Sequence, residues 1–298
     1  MKSRVELNED LAKELKEQER IEKSKKIFKI LAIIFIPLFI IFTISFISLR
    51  YIGNIGIIVK EYPIENELIP ENFHGIKIIQ FSDIHYNQYI DNKKIDTLIK
   101  LINKTEPDIV IFTGDLIDIN YQLSNEEKEF LIAKFSTINP TIEKYAIKGE
   151  EDNQEFEEIF KNSNFKILEN KIENIYINNN FIQLIAVDNN YNNYDILKEQ
   201  KQNTYTIAIT HMPDNTDNII NTFNPNLILA GHSHNGQVRI PFIGPLMKKE
   251  NSKKYIDSYY KINNTELLIS SGIGNTKYQL RLFNHPSINF IRLRAIKK

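Results

Sequence analysis

The sequence predicts an α/β fold built on a buried sheet and preceded by one transmembrane helix. Three observations carry this expectation. Apolar, β-branched runs of about four to six residues recur along the chain, as in strands buried on both faces. Amphipathic stretches separate them, and strands alternating with helices are the pattern of α/β architecture. Near the N-terminus, Ile30–Leu49 contains no charged residue.

Residues 1–29 are densely charged and read as a cytoplasmic tail, either solvated or forming a short interfacial helix. The run that follows, ILAIIFIPLFIIFTISFISL, is apolar on every face. At 1.5 Å per residue it spans roughly 30 Å, the hydrocarbon thickness of a bilayer. Pro37 is tolerated inside such a span. Lys13, Lys16, Arg20, Lys23, Lys25, Lys26 and Lys29 precede it, against Arg50 and Lys60 as the near cations after it. The positive-inside bias therefore expects a single-pass cell-membrane protein with its N-terminus in the cytoplasm and everything after residue 50 outside. A cleaved signal peptide fits less well, because the leader is long, the apolar run exceeds that of a signal sequence and no A-x-A site follows. Residues 50–73 read as a linker and first strand (IGIIVKEYPI), and 74–298 as one continuous domain without hinge or repeat.

Within that domain, five apolar runs end in polar residues. Ile76–Phe81 leads into Ser82-Asp83-Ile84-His85, and Ile109–Phe112 into Thr113-Gly114-Asp115. Tyr145–Ile147 leads into Lys148-Gly149-Glu150-Glu151-Asp152, Thr206–Thr210 into His211-Met212-Pro213-Asp214, and Leu227–Ala230 into Gly231-His232-Ser233-His234. Between them, Ile95–Ile102, Asn125–Phe135, Gln154–Lys161 and Asp217–Asn221 suit helices. Ligands of α/β sheets bind outside the carboxyl ends of the strands, so all five clusters are expected to converge on one edge.

Four of the six histidines lie at these ends, beside Asp83 and Asp115. D-x-H and H-x-H place two side chains on one side of an extended segment. The chain has no cysteine, which excludes disulfides, thiolate metal sites and cysteine nucleophiles. Imidazole with carboxylate suits Zn²⁺, Mn²⁺ or Fe²⁺. A formal net charge of −1, with no basic groove, gives no reason to expect nucleic acid. His74 and His285 fall outside the pattern, and Asp118 reads as a turn or cap residue. Each motif alone has an ordinary structural reading; their order at successive strand ends points to a two-metal site.

The series SDIH, TGD, G-x-x-D, THMPD and GHSHNGQ resembles the calcineurin-like metallophosphoesterase superfamily, and GHSHNGQVRIPFIGPL with SSGIG…RLFNHPSI resembles its membrane-associated bacterial YkuE/YaeI-like branch. The resemblance covers about residues 74–294. It implies a four-layer α/β/β/α sandwich holding two divalent ions, with Asp83, His85 and His234 on the first, Asp115 bridging, and His211 and His232 on the second. It also implies a metal-bridging hydroxide that attacks phosphorus in line. One motif departs: where the family has Gly-Asn-His-Asp or Gly-Asn-His-Glu, this chain has Gly149-Glu150-Glu151-Asp152. Glu150 can still ligate, holding the ion tightly while making it a poorer electrophile. Glu151, in place of a histidine, has either to be protonated, and then available as a general acid, or to point away from a substrate phosphate. Asn153 could replace the missing Asn only by a register shift. Asn87, Asn235, Gln237 and Arg239 either contact substrate or order loops.

The expected function is a membrane-anchored, dimetal phosphoester hydrolase acting on a phosphodiester, pyrophosphate or phosphomonoester, with lipid-linked or envelope substrates suggested by the setting. The alternative is a metal-binding pseudoenzyme or tethered binding module.

Overall fold

Alternating side chains along the central strands divide the apolar residues into three separate cores. The computed structural model describes residues 4–87, 90–118, 121–188, 199–276 and 278–296. It contains two compact units, Met1–Ser48 and Leu49–Lys298.

In the first unit the chain is helical from Arg4, and helix α1 runs on to Arg50. The charged leader is thus continuous helix rather than a solvated tail. Glu9/Lys13, Glu19/Lys23 and Glu22/Lys26 are spaced i,i+4 with the acid first, the favourable order. No Gly or Pro interrupts α1 before Pro37. By length and composition this helix is a candidate membrane span.

The second unit has two six-stranded sheets. In the first the order is β1 (Ile58–Asn66), β14 (Ser287–Ala295), β2 (Lys77–Phe81), β3 (Ile109–Thr113), β4 (Glu143–Ile147), β5 (Lys166–Ile167). In the second it is β12 (Tyr259–Ile262), β13 (Thr265–Ile269), β9 (Leu227–Ala230), β8 (Thr206–Ile209), β7 (Asn180–Ala186), β6 (Lys171–Ile177). Helices α2 (Asn92–Lys104), α3 (Asn125–Ser136) and α4 (Gln154–Asn162) cover the first sheet, and α5 (Thr216–Phe223) covers the second.

Ile79, Phe81, Val110 and Phe112 face the helices, packing with Ile95, Leu98, Leu131, Phe156 and Phe160. Their neighbours Ile78, Ile109 and Ile111 face the other way, against Ile182, Leu184, Ile207 and Leu229 of the second sheet. Ile185, Ala208 and Ile228 then pack under Ile219 and Phe223 of α5. The layers are therefore α/β/β/α, and both sheets are buried on two faces, which explains the uninterrupted apolar strands.

The first strand read within residues 50–73 is β1. β1 pairs in parallel with β14, the last strand of the chain, and β14 pairs antiparallel with β2. The compact unit starts at Leu49 and includes this strand. Helix starts are capped locally: Asp91 accepts from Lys94 N, Ser124 and Glu127 form a capping box, and Asn153 accepts from Glu155 N. Asn153 is thus the cap of α4, with no register shift.

Candidate metal centre

β2, β3, β4, β8 and β9 deliver their polar ends to one edge. Their ligand-type atoms form three groups, each within 4.8 Å: Asp83, His85 and His234; Asp115, Glu150, His211 and His232; and His85, Asp115 and Glu151. Asp83, His85, Asp115, His211 and His234 are at most 1% exposed. Asp118, His74 and His285 belong to none of these groups.

Asp115 stands between the first two groups. Its Oδ2 lies 3.2 Å from His211 Nε2 and 3.8 Å from His85 Nε2. In the first group, His85 Nε2 is 3.2 Å from His234 Nε2, which is 3.4 Å from Asp83 Oδ1. Asp83 is oriented by the backbone N–H of His232, which donates to Oδ1 at 3.0 Å. In the second group, Glu150 Oε2 is 2.7 Å from His211 Nε2 and Oε1 is 2.6 Å from His232 Nδ1.

Tautomers follow from the outer partners. His211 Nδ1 lies 2.7 Å from Thr113 O and His232 Nε2 lies 2.6 Å from Glu250 O. A carbonyl only accepts, so these nitrogens carry the protons. The lone pairs of His211 Nε2 and His232 Nδ1 then point into the group, the arrangement that orients histidine ligands.

Charge crowding is strong. Burial penalises the Asp83 carboxylate, but His234, His211 and His85 outweigh it and hold its pKa well below the usual range. Burial likewise opposes Glu150 ionisation, and His211 and His232 reverse that. Burial disfavours a charged His85, yet Glu151, Asp115 and Asp83 raise its pKa; Asp115 and Glu150 do the same for His211. Burial dominates at His234, which falls to about 3 and is neutral.

The donor set fits two divalent cations. Asp115 Oδ2, Glu150 Oε2, His211 Nε2, His232 Nδ1 and Glu151 Oε2 are buried atoms without a hydrogen-bond partner, although they crowd one another. Such atoms are costly unless something satisfies them, and a cation displacing the shared protons does so. The backbone is also unusual: Asp83, His85, Asp115, His232 and His234 all have positive φ. Each such conformation costs a non-glycine residue on the order of 1 kcal/mol, and clustering of this kind marks functional sites.

Glu151 neither points away nor stands alone. Its Oε2 lies 3.3 Å from His85 Nδ1, so an imidazole offsets its charge. Asn87 Nδ2 donates to Glu127 Oε1 at 2.7 Å on an exposed loop. Asn235 Nδ2 donates to Asn284 Oδ1 at 3.3 Å, while its Oδ1 accepts from Arg239. Gln237 Nε2 donates to Tyr278 O and Leu280 O, and its Oε1 accepts from Thr276. All three side chains thus order loops, and Arg239 braces Asn235 and Asp257.

Three residues of consequence were given no role from the sequence. Asp152, partly buried, accepts from the backbone N–H of Asp115, Leu116 and Gly149, tying the β3 and β4 ends together. Burial and the neighbouring Asp115 charge push its pKa up to about 7. Arg281 is 0% exposed and donates to Asn275 Oδ1 and to the carbonyls of Ser271, Gly272, Gly274 and Asn284. Lys249 Nζ lies 3.8 Å from Glu150 Oε1, shielded from solvent and without a hydrogen-bond partner. A cavity of about 380 Å³, lined in part by Ile147, Glu150, Leu168 and Met212, opens beside it.

Residues 76–236 match the family model described as calcineurin-like phosphoesterase. The chain belongs to that family. Among its relatives, the metallophosphoesterase YkuE of Bacillus subtilis is 28% identical over 262 residues, covering 83% of this chain and 88% of that one. Phosphodiesterase YaeI of Escherichia coli is 22% identical over 234 residues, covering 75% and 84%. A zebrafish (Danio rerio) protein described as a transmembrane protein with metallophosphoesterase domain is 21% identical over 260 residues, covering 80% of this chain and 57% of that one.

Proposed function

We propose that this metallophosphoesterase is a membrane-anchored phosphoester hydrolase using two divalent ions, of the manganese, zinc or iron type, with its catalytic domain outside the cytoplasmic membrane. The observation that carries the reading is Asp115 Oδ2, placed between His85 of one donor group and His211 of the other. Asp83, His85 and His234 would hold one ion, and Glu150, His211 and His232 the other, with Asp115 shared. Bound there, the ions would supply Lewis acidity and an activated water for attack at phosphorus.

The chain's own residues set the rest. Thr113 O and Glu250 O fix the ring orientations of His211 and His232. Lys249, beside Glu150, presents an ammonium without a hydrogen-bond partner and would clamp a phosphoryl oxygen. The half-apolar cavity beside Glu150 would receive the alcohol portion of the ester. With glutamate where the family has histidine, substrates with good leaving groups are favoured: aryl-like diesters or pyrophosphates, including lipid-linked ones. The location of Glu151 supports the second reading, a metal-binding protein of poor turnover, because a carboxylate here repels phosphate.

The test is elemental analysis of the purified full chain beside hydrolysis of an activated aryl phosphodiester with Mn²⁺ or Zn²⁺. Two equivalents of metal with turnover support the hydrolase; two equivalents without turnover on any phosphoester support the second reading.

A further inference from the structure

The hairpin that follows the His232–His234 motif carries the two most exposed large apolar side chains among the described residues of the Leu49–Lys298 unit. Between β10 (Arg239–Ile240) and β11 (Gly244–Pro245), Phe242 is fully exposed and Ile243 is 72% exposed. Leu246 just beyond it and Phe283 on the neighbouring strap are 55% and 68% exposed. Isolated surface apolar residues are ordinary. These are joined: Arg239 N donates to Leu282 O and Leu282 N to Gln237 O, and Arg239, Phe242, Ile243 and Phe283 line one shallow surface depression.

The strap also marks where the chain enters the unit. Arg281 N donates to Leu49 O at 2.9 Å, two residues from Phe283. Leu49 is the last residue of the uncharged run. Directly after it come Arg50 and Tyr51, with the guanidinium 5.5 Å from the ring centroid, then exposed Ile52 and Ile55. A cation and a tyrosine at that point are the residue types that sit at lipid head groups. Exposed Lys248 adds positive charge beside the hairpin.

We infer that Phe242, Ile243, Leu246 and Phe283 form a docking surface for the lipid bilayer. The apolar tip enters the boundary between head groups and acyl chains, and Arg50 and Lys248 face lipid phosphates. The inference rests on the anchor reading above. Leu49 at the membrane surface brings Phe283 and the hairpin to the same level, because the strap bonds to both. The hairpin starts five residues after His234, so docking holds the metal groups beside the head-group layer and favours a phosphoester embedded in the membrane.

The chain has no tryptophan, so each introduced one is a unique probe. Full-length Phe242→Trp and Phe283→Trp chains are reconstituted in nanodiscs of anionic phospholipid with brominated or ordinary acyl chains. Tyr176→Trp, at a 59% exposed position on β6 in the second sheet, is the reference. Docking predicts that brominated lipid removes about half or more of the emission at 242 and 283 and leaves 176 unchanged. Incorporated chains with 242 and 283 as unquenched as 176 overturn the docking surface alone. Chains that do not incorporate into nanodiscs overturn the anchor, and the docking with it.

Discussion

Oε1 of Glu150 lies 2.6 Å from Nδ1 of His232. Its other oxygen is 2.7 Å from His211, so one carboxylate faces two imidazoles where the family pattern has a neutral Asn. An additional negative charge strengthens the hold on a cation and reduces that ion's pull on a phosphoryl oxygen. Glu150→Asn is therefore expected to weaken binding of the second ion by about 10-fold or more while raising kcat. Calorimetric titration with Mn²⁺ beside kcat at saturating metal checks both. Tighter binding by the variant would show that Glu150 is not a ligand.

Asp115 sets one oxygen between His211 of one donor group and His85 of the other. Asp115→Asn keeps the shape and removes the charge. Expected is a metal content below two equivalents and a fall in kcat/KM of at least about 10³-fold, on the scale of losing several kcal/mol of transition-state charge stabilisation. Elemental analysis and turnover of the aryl diester measure these. Full activity with two ions bound would remove Asp115 from the bridging position.

The convergence of the donors was legible because each sits at the end of an apolar run, and strand ends in a buried sheet share an edge. The layers were legible too, through the resemblance and through strands apolar on both faces. Less visible were features set by distant partners. β1 reads as a strand, but its parallel partner β14 comes some 230 residues later and leaves no local mark. Asp152 closes the Gly149 motif in sequence, but its three backbone donors come from two strand ends. Lys249 lies in a loop without a motif, and only tertiary packing brings it to Glu150.

Glu151 lies where a histidine would assist the leaving group, and it faces His85 Nδ1 at 3.3 Å. Glu151→His supplies an acid and removes a repelling charge. Proton donation of this kind contributes roughly 10²–10⁴-fold, with the largest effect on poor leaving groups. The variant is expected to gain about 10²-fold or more on an alkyl phosphodiester and much less on an aryl one. The ratio of the two kcat/KM values checks this, and an equal gain on both would assign the effect to charge alone.

Arg281 ties together the strap whose Gly272 packs beside His234 and Asp83. Truncation leaves the carbonyls of Ser271, Gly272 and Gly274 without their buried donor. Each such group costs about 1–3 kcal/mol, so Arg281→Ala is expected to destabilise the Leu49–Lys298 unit by at least about 3 kcal/mol. Urea unfolding followed by circular dichroism measures the loss. A change below about 1 kcal/mol would mean that water replaces the guanidinium at little cost.

Lys60 donates to Ser271 Oγ at 2.7 Å in the same region. Burial, then the neighbouring Arg281 and Arg239, push its pKa down from 10.5 to about 8. Below pH 8 the folded and unfolded chains both hold the proton, and the fold carries the whole cost of burying it. Between pH 8 and 10.5 the folded chain loses the proton first, the unfolded chain binds more protons, and this group's contribution to stability rises with pH. A shift of that size corresponds to roughly 3 kcal/mol, reduced by the lost hydrogen bond in a variant. Lys60→Met is thus expected to be about 1–3 kcal/mol more stable than the wild-type unit at pH 7, with the advantage shrinking towards pH 10.5. Paired urea titrations at the two pH values isolate this residue from the other titrating groups. An advantage that stays constant or grows would show that desolvation of the ammonium does not govern this position.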